Sequence, residues 1–277
     1  MPKFTHTKQI RVKKIFILLI IIVPVTLFSQ NEKQTRQEKI TQRKERINKL
    51  IKQEEEGALI YEKQNAFGIK LNTDGYGFFY EHGKYKTIEK TNSWFIELGE
   101  RKDKKEEKIT NGNGFFAFGN PYIYGKINNF YYLKLGIEQQ RLLGGKGNKN
   151  GVAVSLIYGG GLSLGMLKPY YLQISSSSLG TLDIKYDGGN DSTFLNQNVI
   201  NGSTGPFKGF GEMKYVPGAL LKTAIRFDYG RYNELLSAIE VGVNAEYYSD
   251  NMPIMAKTEA GKLFFNAYLA FVFGKRK

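Results

Sequence analysis

The chain has 277 residues, with 40 Lys and Arg against 26 Asp and Glu, a formal net charge of +14, and a mean hydropathy of −0.38. Its 31 Gly, 19 Phe and 18 Tyr are typical of an all-β protein rather than a helical one. The absence of Cys excludes a disulfide scaffold, a thiolate zinc site and a thiol nucleophile. Two histidines leave little material for a His-based metal site or catalytic triad.

The N-terminus has the pattern of an export signal. Several Lys and Arg residues without any acidic residue precede an apolar run over 15–28, and Ser29 follows at a plausible cleavage point. The run contains Pro24 and is shorter than the roughly 20 residues that a bilayer-spanning helix needs, so we prefer a cleavable signal peptide to an uncleaved anchor. We therefore assign residues 1–29 to a signal peptide and expect export.

Residues 30–56 form a second segment with a different pattern. Of the 26 residues in 31–56, 14 are charged and none is Gly or Pro, which predicts a solvated helix. Ile40, Ile47, Leu50 and Ile51 add a thin apolar stripe at roughly heptad spacing. We expect a charged periplasmic helix that is either a spacer in water or a binding element for a periplasmic protein partner.

After Gly57 the apolar residues repeat every second position, which predicts β-strands. One segment alternates Tyr131, Leu133, Leu135 and Ile137 with polar or small residues, and several other segments do the same over 12 residues or more. Eight strands follow from this period, at about 66–72, 75–83, 92–101, 129–141, 152–168, 217–229, 235–248 and 262–274.

The polar faces of these strands favour a membrane barrel, and a soluble exported β-sandwich remains the rival all-β fold. A soluble sandwich needs strands of only about 5 to 6 residues and turns its polar faces to water. Longer strands whose polar faces carry both signs of charge indicate instead an eight-stranded antiparallel transmembrane β-barrel over 57–277, with lipid outside and charges inside. Two further strands remain open, because Tyr122–Tyr124 and Leu182–Tyr186 are also apolar. The residues predicted to form a polar network in the lumen are Lys134, Glu138, Lys222, Arg226, Asp228, Glu240 and Glu246.

The connections and aromatic residues agree with a membrane barrel. The connections 84–91, 142–151 and 230–234 are short, whereas 102–128, 169–216 and 249–261 are long, as periplasmic turns and extracellular loops are. Aromatic residues near the strand ends predict interfacial girdles. They are Tyr131, Tyr170, Tyr171, Tyr229, Tyr247, Tyr248 and Phe273.

The chain resembles the small outer-membrane β-barrel proteins of Gram-negative bacteria, especially poorly characterised barrels of the Bacteroidetes type. The resemblance covers 57–277, and a signal peptide ending Phe28-Ser29-Gln30 is similar to those of that group. Such barrels commonly end on an aromatic residue, whereas Phe273 is followed here by Gly274-Lys275-Arg276-Lys277. The segments that carry the resemblance are 147–151, 159–165, 167–171, 226–234 and 244–248.

Candidate sites outside the lumen network are few. Arg231 and Glu234 fall in the turn after Arg226 and Asp228, where they are either a ligand or partner contact at the periplasmic rim or part of the internal ion-pair network. His82 with a serine is conceivable as a hydrolase pair, but a surface histidine is the simpler interpretation. We expect no metal and no cofactor.

These observations predict a non-enzymatic outer-membrane barrel with a structural or interaction role in the cell envelope, as an accessory to secretion or assembly. The expected partners are outer-membrane lipid and lipopolysaccharide, for which the charged run 100–108 is a candidate contact, and not nucleic acid. The alternatives are a narrow porin-like channel for small solutes and a lipid-modifying outer-membrane enzyme.

Overall fold

The computed structural model describes residues 40–45, 62–87, 89–110, 120–147, 151–176, 180–230 and 234–277. The chain divides into two compact units, Met1–Lys52 and Gln53–Lys277. In the first unit, residues 40–45 are helical with exposed side chains, within the predicted charged helix. The rest of that segment and the predicted signal peptide lie outside the described residues. No described helix has the length and apolarity to cross a membrane.

The second unit is built from β-strands. In chain order these are β1 Lys63–Asn72, β2 Gly75–Thr87, β3 Lys90–Arg101, β4 Lys108–Ile109, β5 Tyr122–Ile123, β6 Asn128–Gly144, β7 Ala153–Pro169, β8 Tyr171–Ser176, β9 Gly180–Lys185, β10 Ile200–Ser203, β11 Lys214–Asp228, β12 Leu235–Tyr248 and β13 Leu263–Arg276. A short helix, Asp191–Phe194, and a 3₁₀ turn, Phe210–Glu212, lie in the long connection between β7 and β11.

Eight of these strands close into a barrel in the order β1-β13-β12-β11-β7-β6-β3-β2, and every neighbouring pair is antiparallel. The prediction of an eight-stranded antiparallel barrel is therefore confirmed. The two apolar stretches that left the strand number open become β5 and β9, which lie in separate sheets, β4-β5 and β10-β8-β9. The strand bounds differ from the predicted ones by up to four residues.

The alternation of side chains sets the two surfaces of the barrel. Along β1 exposed and buried residues alternate strictly, because successive side chains of a strand point to opposite faces of the sheet. Small inward residues let the strands coil tightly: a Cβ built at Gly161 would lie 2.1 Å from the carbonyl oxygen of Leu135 on the neighbouring strand. This glycine therefore permits the close approach of β7 to β6.

The two ends of the barrel differ. The start of β1, the end of β13 and three short connections lie at one end, here called the short-loop end. The opposite, long-loop end holds the connections 102–127, 170–213 and 249–262 together with the β1–β2 turn. The small sheet β10-β8-β9 has its own apolar core, which includes Leu172, Phe194 and Ile200. The long loops thus form a folded layer at this end.

Candidate functional site

The interior of the barrel is lined by ion pairs. Among the described residues, seven basic and seven acidic side chains point inward, and each belongs to at least one ion pair. The charges of this group, which we call the lumen network, therefore cancel when all are ionised. Its members are Lys70, Asp74, Glu81, Arg101, Glu97, Lys134, Glu138, Lys146, Lys222, Arg226, Asp228, Glu240, Glu246 and Arg276.

Toward the long-loop end the network is a chain of bridged charges. The Arg101 guanidinium lies 2.6 Å from Asp74 and 2.8 Å from Glu246. Lys134 continues the chain, with its ammonium 2.9 Å from Glu246 and 3.1 Å from Glu97. Because each cation contacts two carboxylates, neither charge of a pair is left uncompensated in the buried interior.

Toward the middle of the barrel Arg226 holds two carboxylates. Its Nε and Nη2 donate to Glu240 at 2.9 and 2.6 Å, and its Nη1 and Nη2 donate to Glu81 at 3.2 and 2.6 Å. Lys222 lies 2.8 Å from Glu138 and 3.1 Å from Glu240. The planar guanidinium of Arg226 donates four hydrogen bonds to its two carboxylates, more than the three donors of an ammonium allow.

Tyr268 connects these first two groups of the network. Its hydroxyl donates to Glu240 at 2.6 Å, and its ring centroid lies 4.2 Å from the ammonium of Lys70. Lys70 in turn pairs with Glu97. The network therefore continues through the middle of the barrel.

The short-loop end is closed by a third group. Lys146, in the turn after β6, donates to the carbonyl oxygen of Gly230 at 2.5 Å and lies 3.3 Å from Asp228. Arg276, near the end of β13, lies 2.6 Å from the other carboxylate oxygen of Asp228. The basic tail after Phe273 thus extends the last strand and adds an inward cation.

The middle of the lumen is filled by side chains. Glu240 is 0% exposed, and Arg226, Lys134 and Lys70 are each 1% exposed, so these side chains have almost no surface in contact with water. In the described barrel there is accordingly no continuous water path past this layer.

All seven residues predicted for the lumen point inward, six of them in the two groups that Tyr268 connects and Asp228 in the group at the short-loop end. Of the predicted rim pair, Glu234 is exposed at the turn before β12, and Arg231 lies outside the described residues. A contact at this rim stays a prediction.

Two sequence predictions are wrong. Arg101, assigned to the solvated run 100–108, is buried inside the barrel, because β3 extends through it and odd positions of β3 face inward. Tyr248, assigned to a girdle, also faces inward, where its hydroxyl donates to Glu246 at 2.8 Å. It shares a strand end with Tyr247, and the alternation sends only Tyr247 outward.

His82 lies on the outer wall of β2. Its Nδ1 is 2.6 Å from the side-chain oxygen of Asn65, and its ring lies beside Trp94. Ser93 and Ser155, the serines considered as its partners, are buried on the inner face. The barrel wall therefore separates this histidine from both hydroxyls.

The outer wall carries a continuous belt of exposed apolar side chains. A contiguous surface of large, exposed hydrophobic side chains of this extent is rare on a protein surrounded by water. They include Phe67, Ile69, Leu71, Phe78, Leu98, Leu135, Ile137, Leu162, Leu221, Ile225, Val241, Val243, Phe265, Leu269 and Phe271.

Polar and aromatic residues border this belt. Toward the short-loop end, Gln139 donates to Asn92 at 2.8 Å, and the hydroxyl of Tyr158 donates to Gln139. Toward the other border, Tyr76 donates to Glu100 at 2.6 Å. On β3 the outward-facing positions run from Asn92 to Glu100, which is eight residue steps of about 3.3 Å along the strand. Because the strands of such barrels are tilted by about 40°, the belt is about 20 Å thick along the barrel axis.

The layer at the long-loop end is fastened by exposed ion pairs. Lys185 and Tyr171 hydrogen-bond to Glu212, and these bonds hold the pKa of Glu212 below its ordinary value. Lys208 donates to Asp183 at 2.5 Å and lowers the pKa of that carboxyl in the same way. These contacts join β8 and β9 to the segment before β11.

Comparisons with known proteins concern only distant structures. No family model matches the sequence. No curated protein matches it either. The structure is similar to Ail, the attachment invasion locus protein of Yersinia pestis, solved with the heparin analogue sucrose octasulfate, with 9% identity and a TM-score of 0.36, covering 79% of this chain and 100% of that one.

Two further solved structures are similar at the same level. The N-terminal β-barrel domain of Pseudomonas aeruginosa OprF has 10% identity and a TM-score of 0.36, covering 77% of this chain and 98% of that one. Neisserial surface protein A (NspA) has 8% identity and a TM-score of 0.38, covering 78% and 96%.

Proposed function

We propose that this chain is an outer-membrane protein whose closed barrel anchors the folded layer at its long-loop end on the cell surface. The observation that carries the proposal is the inverted arrangement of the barrel, with exposed apolar side chains outside and charged side chains inside. Water stabilises the opposite arrangement, whereas lipid stabilises this one. The belt of about 20 Å approaches the apolar band of about 25 Å that such barrels present.

The filled lumen argues for an anchor rather than a channel. A pore for small solutes needs a continuous water path, and the middle layer of ion pairs leaves none. Opening this layer would break buried ion pairs such as those of Arg226 with Glu81 and Glu240. The narrow porin-like channel is therefore the second candidate.

The role is one of structure or interaction in the envelope. The barrel wall separates His82 from Ser93 and Ser155, which removes the only hydrolase pair that the sequence suggested, so we propose no enzymatic activity. The proposed partners are outer-membrane lipid and lipopolysaccharide. We also propose that the protein is an accessory to secretion or assembly, and that residues 31–56 bind a periplasmic protein partner.

Membrane fractionation tests this proposal directly. We expect recovery in the outer membrane and faster migration of the unboiled protein on a denaturing gel, since a folded barrel resists detergent until it is boiled. Recovery in the soluble periplasm without a mobility shift would overturn the membrane assignment. In planar bilayers we expect no steady conductance, and discrete open levels would favour the channel.

A further inference from the structure

A groove lies on the outer wall of the barrel, at the border of the apolar belt near the long-loop end. Its floor is formed by Asn129 and Lys168, which are paired across β6 and β7, and by Tyr131. Residues 203–206 and Lys208, from the connection before β11, form the opposite side. The cavity volume is about 340 Å³, within the range of about 300–1,000 Å³ that holds a small molecule.

The charge of the groove has one sign. Two lysines line it, and no Asp or Glu is among its lining residues, although Lys208 is paired with Asp183 outside the groove. Lys168 is only 3% exposed, donates a hydrogen bond to the carbonyl oxygen of Pro206 at 2.5 Å, and has its ammonium 4.5 Å from the ring centroid of Phe210. Among the described residues it forms no ion pair, in contrast to every inward lysine of the lumen network. Because an ammonium has three donors and a buried cation is stabilised by an anion, Lys168 can bind a further group that carries negative charge.

The position of the groove indicates where that anion is attached. Tyr131 lies at the level where aromatic side chains border the belt, and Leu133 and Leu135 continue below it on the same face of β6. Next to the groove, Phe207 is 84% exposed and Phe210 is 50% exposed. Exposed phenylalanines at the edge of an apolar belt gain by insertion into a lipid surface.

We propose that this groove binds the phosphate group of a membrane lipid headgroup, with Lys168 and Lys208 as the cationic contacts and the acyl chains along the apolar wall below. The proposal rests on the proposed function, because it requires lipid around the belt. The headgroup is either a phosphorylated glycolipid or a glycerophospholipid, since both place a phosphate at this depth. The amide of Asn129 adds a neutral donor beside the phosphate.

Native mass spectrometry of the full chain refolded in neutral detergent micelles tests the site. The probes are diphosphorylated lipid A, its dephosphorylated form, phosphatidylglycerol and inorganic phosphate. We expect one lipid to be retained when it carries phosphate, at least ten-fold more than the dephosphorylated form. Comparison of lipid A with phosphatidylglycerol shows which headgroup class the groove prefers. Equal retention with and without phosphate, or binding of inorganic phosphate without either lipid, would overturn the proposal.

Variants assign the binding to the groove. We expect Lys168→Met and Lys208→Met each to lower retention of the phosphorylated lipid about ten-fold, and Lys168→Arg to preserve it. Because Lys208→Met also breaks the pair with Asp183, Asp183→Asn is its matched control and should not lower retention. Lys257→Met removes the same charge from an exposed position at the same end and should leave retention unchanged. Each variant must show the heat-dependent mobility shift; if Lys168→Met fails it, Lys208→Met decides. Failure of the wild type to refold would contradict the proposed function, whereas a folded wild type without lipid preference contradicts only the headgroup site.

Discussion

Replacement of Arg226 by Met tests the energetic role of the lumen network. Arg226 is buried at the middle of the barrel and donates four hydrogen bonds to Glu81 and Glu240. Met has a similar length without the charge, so the change removes the cation and leaves both carboxylates in place. Glu81 then retains only Gln64 at 3.2 Å and Ser93 at 3.4 Å.

The expected loss follows from these remaining partners. Breaking a buried ion pair by removing one member costs about 3–5 kcal/mol, because the other charge is left uncompensated. Glu240 keeps Lys222 and Tyr268, so most of the cost arises at Glu81. The double variant Arg226→Met/Glu81→Gln removes both charges and should recover more than half of the lost free energy of unfolding.

Urea unfolding in lipid vesicles measures these differences. Trp94 is the only tryptophan and is half-exposed on the outer wall, so its fluorescence reports the passage from lipid to water. Lys214→Met breaks an exposed pair with Asp250 and serves as the control, with no appreciable change expected. A loss below about 1 kcal/mol for Arg226→Met, or no recovery in the double variant, would refute the assigned role of the network.

Three further predictions concern the wall and the loop layer. Leu135→Arg places a charge in the apolar belt and should lower the free energy of unfolding in vesicles by about 2–4 kcal/mol; an unchanged value would contradict lipid contact there. Gly161→Val should abolish refolding, measured by the gel shift, because its Cβ would overlap the carbonyl of Leu135. The bonds from Lys185 and Tyr171 to Glu212 stabilise the loop layer above the ordinary pKa of Glu212 and are lost as pH falls through its lowered pKa. Pepsin should therefore cleave Glu212→Gln faster than wild type near pH 5, with the difference vanishing at lower pH; a difference independent of pH would contradict this.

The period of two predicted the barrel and the direction of most side chains, because that direction depends only on position along a strand. The inward side chains that the sequence did not predict lie at the ends of strands or in turns. Arg101 is both the last residue of the predicted strand 92–101 and part of the charged run 100–108, and the run favoured a solvated side chain over one that faces the lumen. Arg276 lies two residues beyond the predicted end of the last strand, and Lys146 reaches inward from a turn whose path the alternation does not determine.

The loop layer was not predicted for a different reason. The apolar stretches that become β5 and β9 were recognised, but their partners are set by contacts distant in sequence. The β8 strand pairs with β10 across more than 20 residues, with Leu172 opposite Ser203. A short strand with few side chains on its inner face leaves its register weakly specified by sequence. The groove was not predicted either, because one of its sides belongs to this layer. Its floor includes Lys168, which points outward from β7, whereas the preceding residue of the strand points inward.

The charges of the lumen have a further consequence for the register of the barrel. Arg226 stands directly opposite Glu240 in the pairing of β11 with β12. A slip of one residue would turn every charged side chain of a strand toward the lipid, and a slip of two would keep them inside but separate this pair. An apolar interior of the same volume would tolerate the second slip, since hydrophobic contacts are not directional. A network that fixes the register in this way also fills the lumen, so any partner of the barrel unit must contact its outer wall or the loops and turns at its two ends.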